Sequence, residues 1–324
     1  MTGTSRRDLL LAAPALALPA AARAQGAWPD RPVRWINPGP AGGAGDVLSR
    51  LVGDRISARI GQPVVVESRP GAGTNIGMTA VARSAPDGYT LGLASIASNA
   101  ANKWLYPNMP FDPAKDFEAV GMIALVPNIV VIPPTIPPRN LAEFVAWAKA
   151  LGRPLNFGSV GIGSSQHLAA AQFGQITGIE IIHAPYNQAG QMNTDLIEAR
   201  LDVLFQSISA VAAMAQAGRM RPIAVSGPER VPAFPDLPTM REQGVDVTTT
   251  GWFGLATPAG VPEPILARLD EMLAASLEEP GLRERIITGG SIPRVMRRAE
   301  FARFMASESE RVGAIIRATG ATLQ

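Results

Sequence analysis

Beyond Trp28 the chain alternates short β-rich apolar runs with segments whose apolar positions recur at helical spacing. The run RPVRWINPG predicts a first strand, and Leu48, Val52, Ile56 and Ile60 after it mark one face of a helix over Val47 to Ile60. QPVVVESRP predicts a second strand, a helix follows from about Ile76 to Arg83, and GYTLGLAS predicts a third strand. FEAVGMIALVPNIVVIPP is a long β-rich segment halted by Pro133, Pro134, Pro137 and Pro138. The theme then repeats. NLAEFVAWAKAL predicts a helix capped by Asn140, PLNFGSV a strand, SSQHLAAAQFGQIT a helix, IEIIHAPY a strand and NTDLIEARL a helix, with strands at DVLFQS and RPIAVSG. From VTTTGWFGLATPAG the chain returns to its first half and ends in helices at PEPILARLDEMLAASLE and near Glu300 to Thr319.

Such alternation predicts an α/β fold with largely parallel strands. Two α/β lobes joined by two extended hinge strands form a clamshell, with the hinges around Met122 to Val130 and Thr248 to Leu255. Lobe 1 is expected over residues 27–125 and 252–324, and lobe 2 over 126–251. Loops at the carboxyl ends of parallel strands face the cleft between lobes, which makes it the default ligand site.

The N-terminus changes the picture. SRRDLLLAAPALALPAAARAQ carries paired arginines Arg6 and Arg7, an apolar run from Leu9 to Leu18 and the small-residue pattern Ala22-Arg23-Ala24. Residues 1–24 are therefore expected to be an export signal, resembling the twin-arginine type. The chain has no cysteine, which excludes disulfides, thiolate metal sites and a cysteine-linked lipid anchor. A periplasmic, exported and soluble protein without an anchor is expected. Removing Arg6, Arg7, Arg23 and Asp8 from 29 basic and 27 acidic side chains leaves equal numbers of each sign, so the precursor's +2 charge carries no implication of nucleic-acid binding.

The glycine loops carry the candidate chemistry. In INPGPAGGAGDVLSRLVGDRI, glycines permit close backbone approach to a ligand, and the helix that follows presents free N–H groups to an anion. No Lys-Ser or Lys-Thr pair follows, so it is not a phosphate-binding loop of the Walker type. A small ligand bearing one carboxylate suits it. Asp46 has two readings, as acceptor of a ligand donor or as a helix cap. FGSVGIGSSQHLAA repeats the device, with Ser164 or Ser165 at the helix start. Closing the clamshell would bring both glycine-rich helix starts onto one anion.

Three other features compete. GAGTNIG, Gly71 to Gly77, imitates a dinucleotide fingerprint but lacks the acidic residue expected after the next strand. Ser95 and Ser98, at the end of the third strand, are expected to line the cleft or to serve their loop. His167 and His183 are the two histidines. A hydrolase using Ser164 or Ser165 is conceivable, but neighbours along a helix do not face each other and no GxSxG elbow exists. His183 reads as a buried core histidine, and Tyr186 as core or ligand donor. No metal site and no cofactor is expected, and the chain is not expected to be an enzyme.

The stretches WPDRPVRWINPGPAGGAGDVLSRLV, IGQPVVVESRPGAGTNIGMTAVARSAPDGYTL, FDPAKDFEAVGMIA, LNFGSVGIGSSQHLAA, APYNQAGQMNTDL and GWFGLATPAGVP resemble, in order and over nearly the whole chain, the tripartite tricarboxylate transporter substrate-binding receptors, or Bordetella uptake gene family. The resemblance implies a type II periplasmic binding protein fold, with ligand carboxylates held by backbone amides and ordered waters from both lobes. Carried over by position, the first loop falls on Pro40, Ala41, Gly42, Gly43 and Asp46. The second falls on Gly161 to His167, which includes Gly163, Ser164, Ser165 and His167, and Ser95 and Ser98 fall in a third ligand-lining loop.

The chain departs from the family at three places. YNQA, Tyr186 to Ala189, replaces a common Tyr-Lys-Gly-Gly; Gln206 stands where an acidic residue is common; and GPAGG replaces a loop with two prolines. The loss of one base and one acid points to a ligand less charged than an amino acid. The expected role is a monomeric receptor that takes a small carboxylated compound to membrane transporter subunits. A ligand sensor feeding a signalling system is the alternative, and an exported serine hydrolase the third.

Overall fold

The computed structural model describes residues 28–247 and 249–320. The expected export signal at 1–24 and Thr248 of the expected second hinge lie outside the described residues. The first half opens with β1 (Val33–Asn37), α1 (Ala44–Ile60), β2 (Val64–Ser68), α2 (Asn75–Ala82) and β3 (Thr90–Ser95). A tight helical turn at Ala97–Ala101 leads into α3 (Asn102–Leu105), and β4 (Phe117–Ile132) carries the chain across to the second half. There α4 (Leu141–Ala150), β5 (Leu155–Ser159), α5 (Ser165–Thr177), β6 (Ile181–Pro185), α6 (Ala189–Ile197), β7 (Val203–Ser207), α7 (Ile208–Gln216) and β8 (Arg221–Val225) follow. The chain returns through β9 (Thr250–Pro258) and ends with α8 (Glu263–Glu278), α9 (Pro280–Thr288), β10 (Ile292–Arg297) and α10 (Arg298–Thr319).

The strands run in the order β2-β1-β3-β9-β4-β7-β5-β6, with β10 and β8 also paired to β4. β1 pairs in parallel with both β2 and β3, and β5 in parallel with β6 and β7, each pairing reached through a helical crossover. The expectation of largely parallel strands needs correcting at the junction, where β3–β9, β4–β9, β4–β7, β4–β8 and β4–β10 are all antiparallel. The reason is that β4 and β9 are return strands linking the halves, not members of βαβ units.

β4 is the shared element. It pairs with β9 from Phe117 as far as Pro127, then from Asn128 onward with β7 and β8. The switch falls at Pro127, which has no N–H to give to a ladder, so little pairing is lost where the strand leaves one sheet for the other. β4 is one extended connection between two α/β lobes, and the chain returns to the first of them through β9.

Each lobe has its own apolar core. In the first, Leu48, Val52 and Ile56 on one face of α1 bury against Trp35, Leu91 and Leu93. In the second, Phe144, Phe157, Phe173 and Phe205 pack together. Complete burial of each such side chain contributes roughly 1.5–3 kcal/mol, enough to keep each layer in register. Asn140 does cap α4: its Oδ1 accepts from Glu143 N at 2.9 Å while the Glu143 carboxylate accepts from Arg139 N at 2.8 Å.

Candidate functional site

A cavity of about 690 Å³, open solvent at its mouth included, lies between the lobes where α1, α5, β3 and β9 converge. On the first-lobe side α1 starts without a side-chain cap, because Gly43 stands at the N-cap position in extended conformation. Gly43 donates to Pro40 O at 3.3 Å, but the N–H groups of Ala44 and Gly45 have no acceptor among the described residues. These free donors lie at the positive end of a 17-residue helix and both residues line the cavity. Gly45 is required there by space, since a Cβ on it would stand 2.8 Å from Leu93 Cδ2 and 3.0 Å from Asn37 Oδ1.

α5 offers the opposed cradle. Ser164 caps it by accepting from His167 N at 3.2 Å, leaving the amides of Ser165 and Gln166 without an acceptor among the described residues. Ser164, Ser165 and Gln166 line the same cavity. Ile96, Val126, Trp252 and Phe253 supply an apolar wall between the two helix starts, and among the described residues no Asp, Glu, Lys, Arg or His lines it. Such a pocket can hold a compact anion by amide donors at both sides and hydrocarbon between them. An ammonium group would find no carboxylate there.

Of the expected ligand residues, Pro40, Gly43, Ser95, Ser164 and Ser165 line the cavity. Ala41 and Gly42 are exposed outside it. Asp46 turns back on its own loop, accepting from Gly42 N at 3.0 Å and Ser68 Oγ at 3.2 Å and pairing with Arg50 at 3.0 Å. Burial pushes its pKa up, yet the Gly42 amide and Arg50 outweigh burial and hold it below the usual value. Its geometry serves the loop. Ser98 is fully buried behind Ser95, within 3.0 Å of the Ser95 hydroxyl.

Gly163 faces the first lobe at α3, where a Cβ would stand 2.7 Å from Asn102 Oδ1. His167 is buried behind the second cradle, its Nδ1 accepting from Gly163 N at 3.3 Å. Tyr186 donates to Asp195 Oδ2 at 2.7 Å; desolvation first, and then Asp195, push its pKa up to about 12. Gln206 lies one layer back, its Oε1 accepting from Gln166 Nε2 at 2.5 Å and from Ser207 N at 2.9 Å.

Residues missed from sequence complete the wall. Gly73 and Thr74 come from the stretch that imitates a nucleotide fingerprint, and Phe253 from the expected second hinge. Gly73 adopts φ +58, and a Cβ there would stand 2.8 Å from Ile162 O of the other lobe. Thr74 adopts φ +82, a conformation that turns it away from capping α2, and its buried hydroxyl has no partner among the described residues. The glycine signal was visible, but nothing in sequence aimed it at the opposite lobe.

Two α/β lobes joined by two extended strands, with a ligand-sized cleft between them, define the class of periplasmic solute-binding proteins. Within it the chain belongs to the tripartite tricarboxylate transporter family receptors, whose family model matches residues 48–321. It is 32% identical over 299 residues to Protein BugT of Bordetella pertussis, covering 92% of each chain. It is similar to the structure of R. palustris Rpa4515 with adipate, at TM-score 0.88 and 32% identity over 91% of this chain and 99% of that one. MatC from Rhodopseudomonas palustris, solved with bound malate, superimposes at TM-score 0.84 with 28% identity, covering 89% of this chain and 99% of that one.

Proposed function

We propose that this chain is an exported, monomeric receptor that closes its lobes on one small organic acid and delivers it to the membrane subunits of a tripartite transporter. The observation that carries this reading is the pair of amide sets, Ala44–Gly45 and Ser165–Gln166, uncommitted among the described residues and set at one cavity that no described charged side chain lines. Residues 27–125 with 252–324, and residues 126–251, would be the moving lobes, with the strand switch at Pro127–Asn128 as one hinge. A ligand touched by both lobes favours the closed arrangement by its differential affinity for it.

The adipate and malate of the two similar structures support a dicarboxylic or hydroxy acid as ligand here. Binding rather than hydrolysis is favoured by the serines. Ser164 Oγ accepts from the main-chain N–H of His167 and not from its ring, whose Nδ1 is turned to Gly163 N; Ser159, hydrogen-bonded to the half-buried His183, lies outside the cavity lining. No helix among the described residues is long and apolar enough to cross a membrane.

The test is calorimetric titration of adipate, malate, succinate, benzoate and glutamate. Saturable one-to-one binding of at least one acid without an ammonium group supports the reading. Absence of heat with every acid, or preference for glutamate, contradicts it.

A further inference from the structure

Behind the second cradle lies a group of residues that the cavity itself does not use. Phe157, His183 and His167 form a stack, with ring centroids 4.7 Å apart for Phe157–His183 and 4.6 Å for His167–His183. The stack sits beneath the turn 160–164, four of whose residues, Val160, Gly161, Ile162 and Ser164, line the cavity. Both histidines reach that turn. His167 Nδ1 accepts from the N–H of Gly163 at 3.3 Å. His183 Nε2 stands 2.6 Å from Ser159 Oγ, and that same hydroxyl is 3.0 Å from Gly161 N and 3.1 Å from Gly161 O.

Donor and acceptor counting fixes the protons. A serine hydroxyl gives one hydrogen and accepts two. Ser159 satisfies all its contacts only when it donates to Gly161 O and accepts from both Gly161 N and His183 Nε2. His183 must then carry its proton on Nε2. His167 must leave Nδ1 bare to accept from Gly163, so it too carries its proton on Nε2. Burial keeps both rings neutral, His167 at a pKa of about 4 and His183 at about 3.

We propose that His167 and His183 are positioning residues that hold the second-lobe ligand cradle from behind, His167 through Gly163 and His183 through Ser159 and Gly161. The inference rests on the receptor reading above, because it assigns the histidines a role towards the ligand that the turn grips. Neither ring touches that ligand. A glycine-rich turn left free would sample many conformations, and ordering it on binding would weaken affinity; two side-chain anchors supply the order beforehand. Helix α5 then presents the Ser165 and Gln166 amides in one direction. The stacked Phe157 ring, fully buried in the second core, ties the anchors to the rigid part of the lobe.

The experiment has two independent arms. Long-range nitrogen-15 spectra of the wild-type protein at neutral pH report the tautomers directly, and both histidines are expected as the neutral Nε2–H form. A proton on Nδ1 of His167 overturns the assignment, whether or not any ligand is known. The second arm measures affinities for adipate and malate. His167→Leu, His183→Leu and Ser159→Ala should each weaken whichever acid binds by roughly tenfold, the loss expected when a buried anchor is left unmade.

His167→Asn, which keeps an acceptor near Nδ1, and His183→Gln, which keeps a donor near Nε2, should recover affinity to within about threefold of wild type. A purely structural role would instead leave the folded leucine variants with wild-type affinity, and that result overturns the proposal. Should the leucine variants fail to fold, the tautomers and the Asn and Gln variants still decide. Should wild type bind neither adipate nor malate, the second arm uses whichever of succinate or benzoate binds; binding of no acid overturns the carboxylate reading, while the spectra continue to judge the histidines.

Discussion

Gly161 of the second lobe faces Gly73 of the first so closely that a Cβ built on Gly161 would stand 3.6 Å from the Gly73 Cα. Backbone meets backbone at the rim of the cavity, and this approach requires Gly73, on which a Cβ would stand 2.8 Å from Ile162 O, whereas a Cβ on Gly161 would make only an ordinary contact. Gly73→Ala places a methyl 2.5 Å from Tyr106 Oη and 2.8 Å from Ile162 O in a left-handed conformation. The expected outcome is weaker acid binding, by about tenfold, with a loss of stability of roughly 1–2 kcal/mol from the αL position. Small-angle scattering should register a larger radius of gyration for the variant. A compact variant with unchanged affinity would show that this contact does not govern approach of the lobes.

Thr74 lies next to it with φ +82 and a hydroxyl that caps nothing. A β-branched residue in that region is strained, and relief by glycine should exceed the entropy that glycine adds to the unfolded chain. Thr74→Gly is expected to raise stability by about 1 kcal/mol, read as a higher midpoint in urea. A fall in the midpoint would mean that the side chain makes stabilising contacts outweighing its backbone strain.

Gly45 makes the opposite prediction. Alanine is the better helix former, so an exposed glycine at this place would gain from the change. Here the added methyl meets Leu93 Cδ2 at 2.8 Å and Asn37 Oδ1 at 3.0 Å, so overpacking should dominate. Gly45→Ala is expected to lose roughly 1–2 kcal/mol in chemical denaturation and to weaken acid binding by displacing the free amide beside it. A stabilised variant would contradict the packing account of α1.

Stability should also fall on acidification in a defined window. Burial lowers the folded-state pKa of His167 from 6.5 to about 4, and burial with the neighbouring His167 lowers His183 to about 3. A base with a depressed folded pKa lets the unfolded chain bind protons that the folded chain refuses. Its contribution is therefore complete above about pH 6.5 and is lost as pH falls towards 3–4. For His167 the loss is roughly 3 kcal/mol. Urea titrations of wild type and His167→Asn across this range test it: the variant should show the shallower slope, and parallel slopes would contradict neutral burial of the ring.

Much of this architecture is legible in the chain because its signals are local. The spacing of Leu48, Val52 and Ile56 announces α1, and Asn140 announces α4. Elements without such a signal were missed. α7 (Ile208–Gln216) is apolar on nearly every face and follows β7 without a break, so no period distinguishes it. β10 carries Pro293 and two arginines, Arg294 and Arg297, and becomes a strand by pairing with β4.

The site divides in the same way. Glycine before a helix marks the Pro40–Gly43 and Ser164–Ser165 cradles. The direction in which His167, Asp46 and Tyr186 point depends on packing that no spacing records. Phe253 enters the wall through antiparallel pairing of β9 with β3, a contact remote in sequence.

The most direct test of the account is a crystal structure of the protein with whichever of adipate or malate binds more tightly. One carboxylate should lie in the cleft with oxygens about 2.7–3.2 Å from amides at the start of α1 and, directly or through a single water, from those at the start of α5. An acid seated against one lobe alone, or outside the cleft with both helix starts facing bulk solvent, would contradict it.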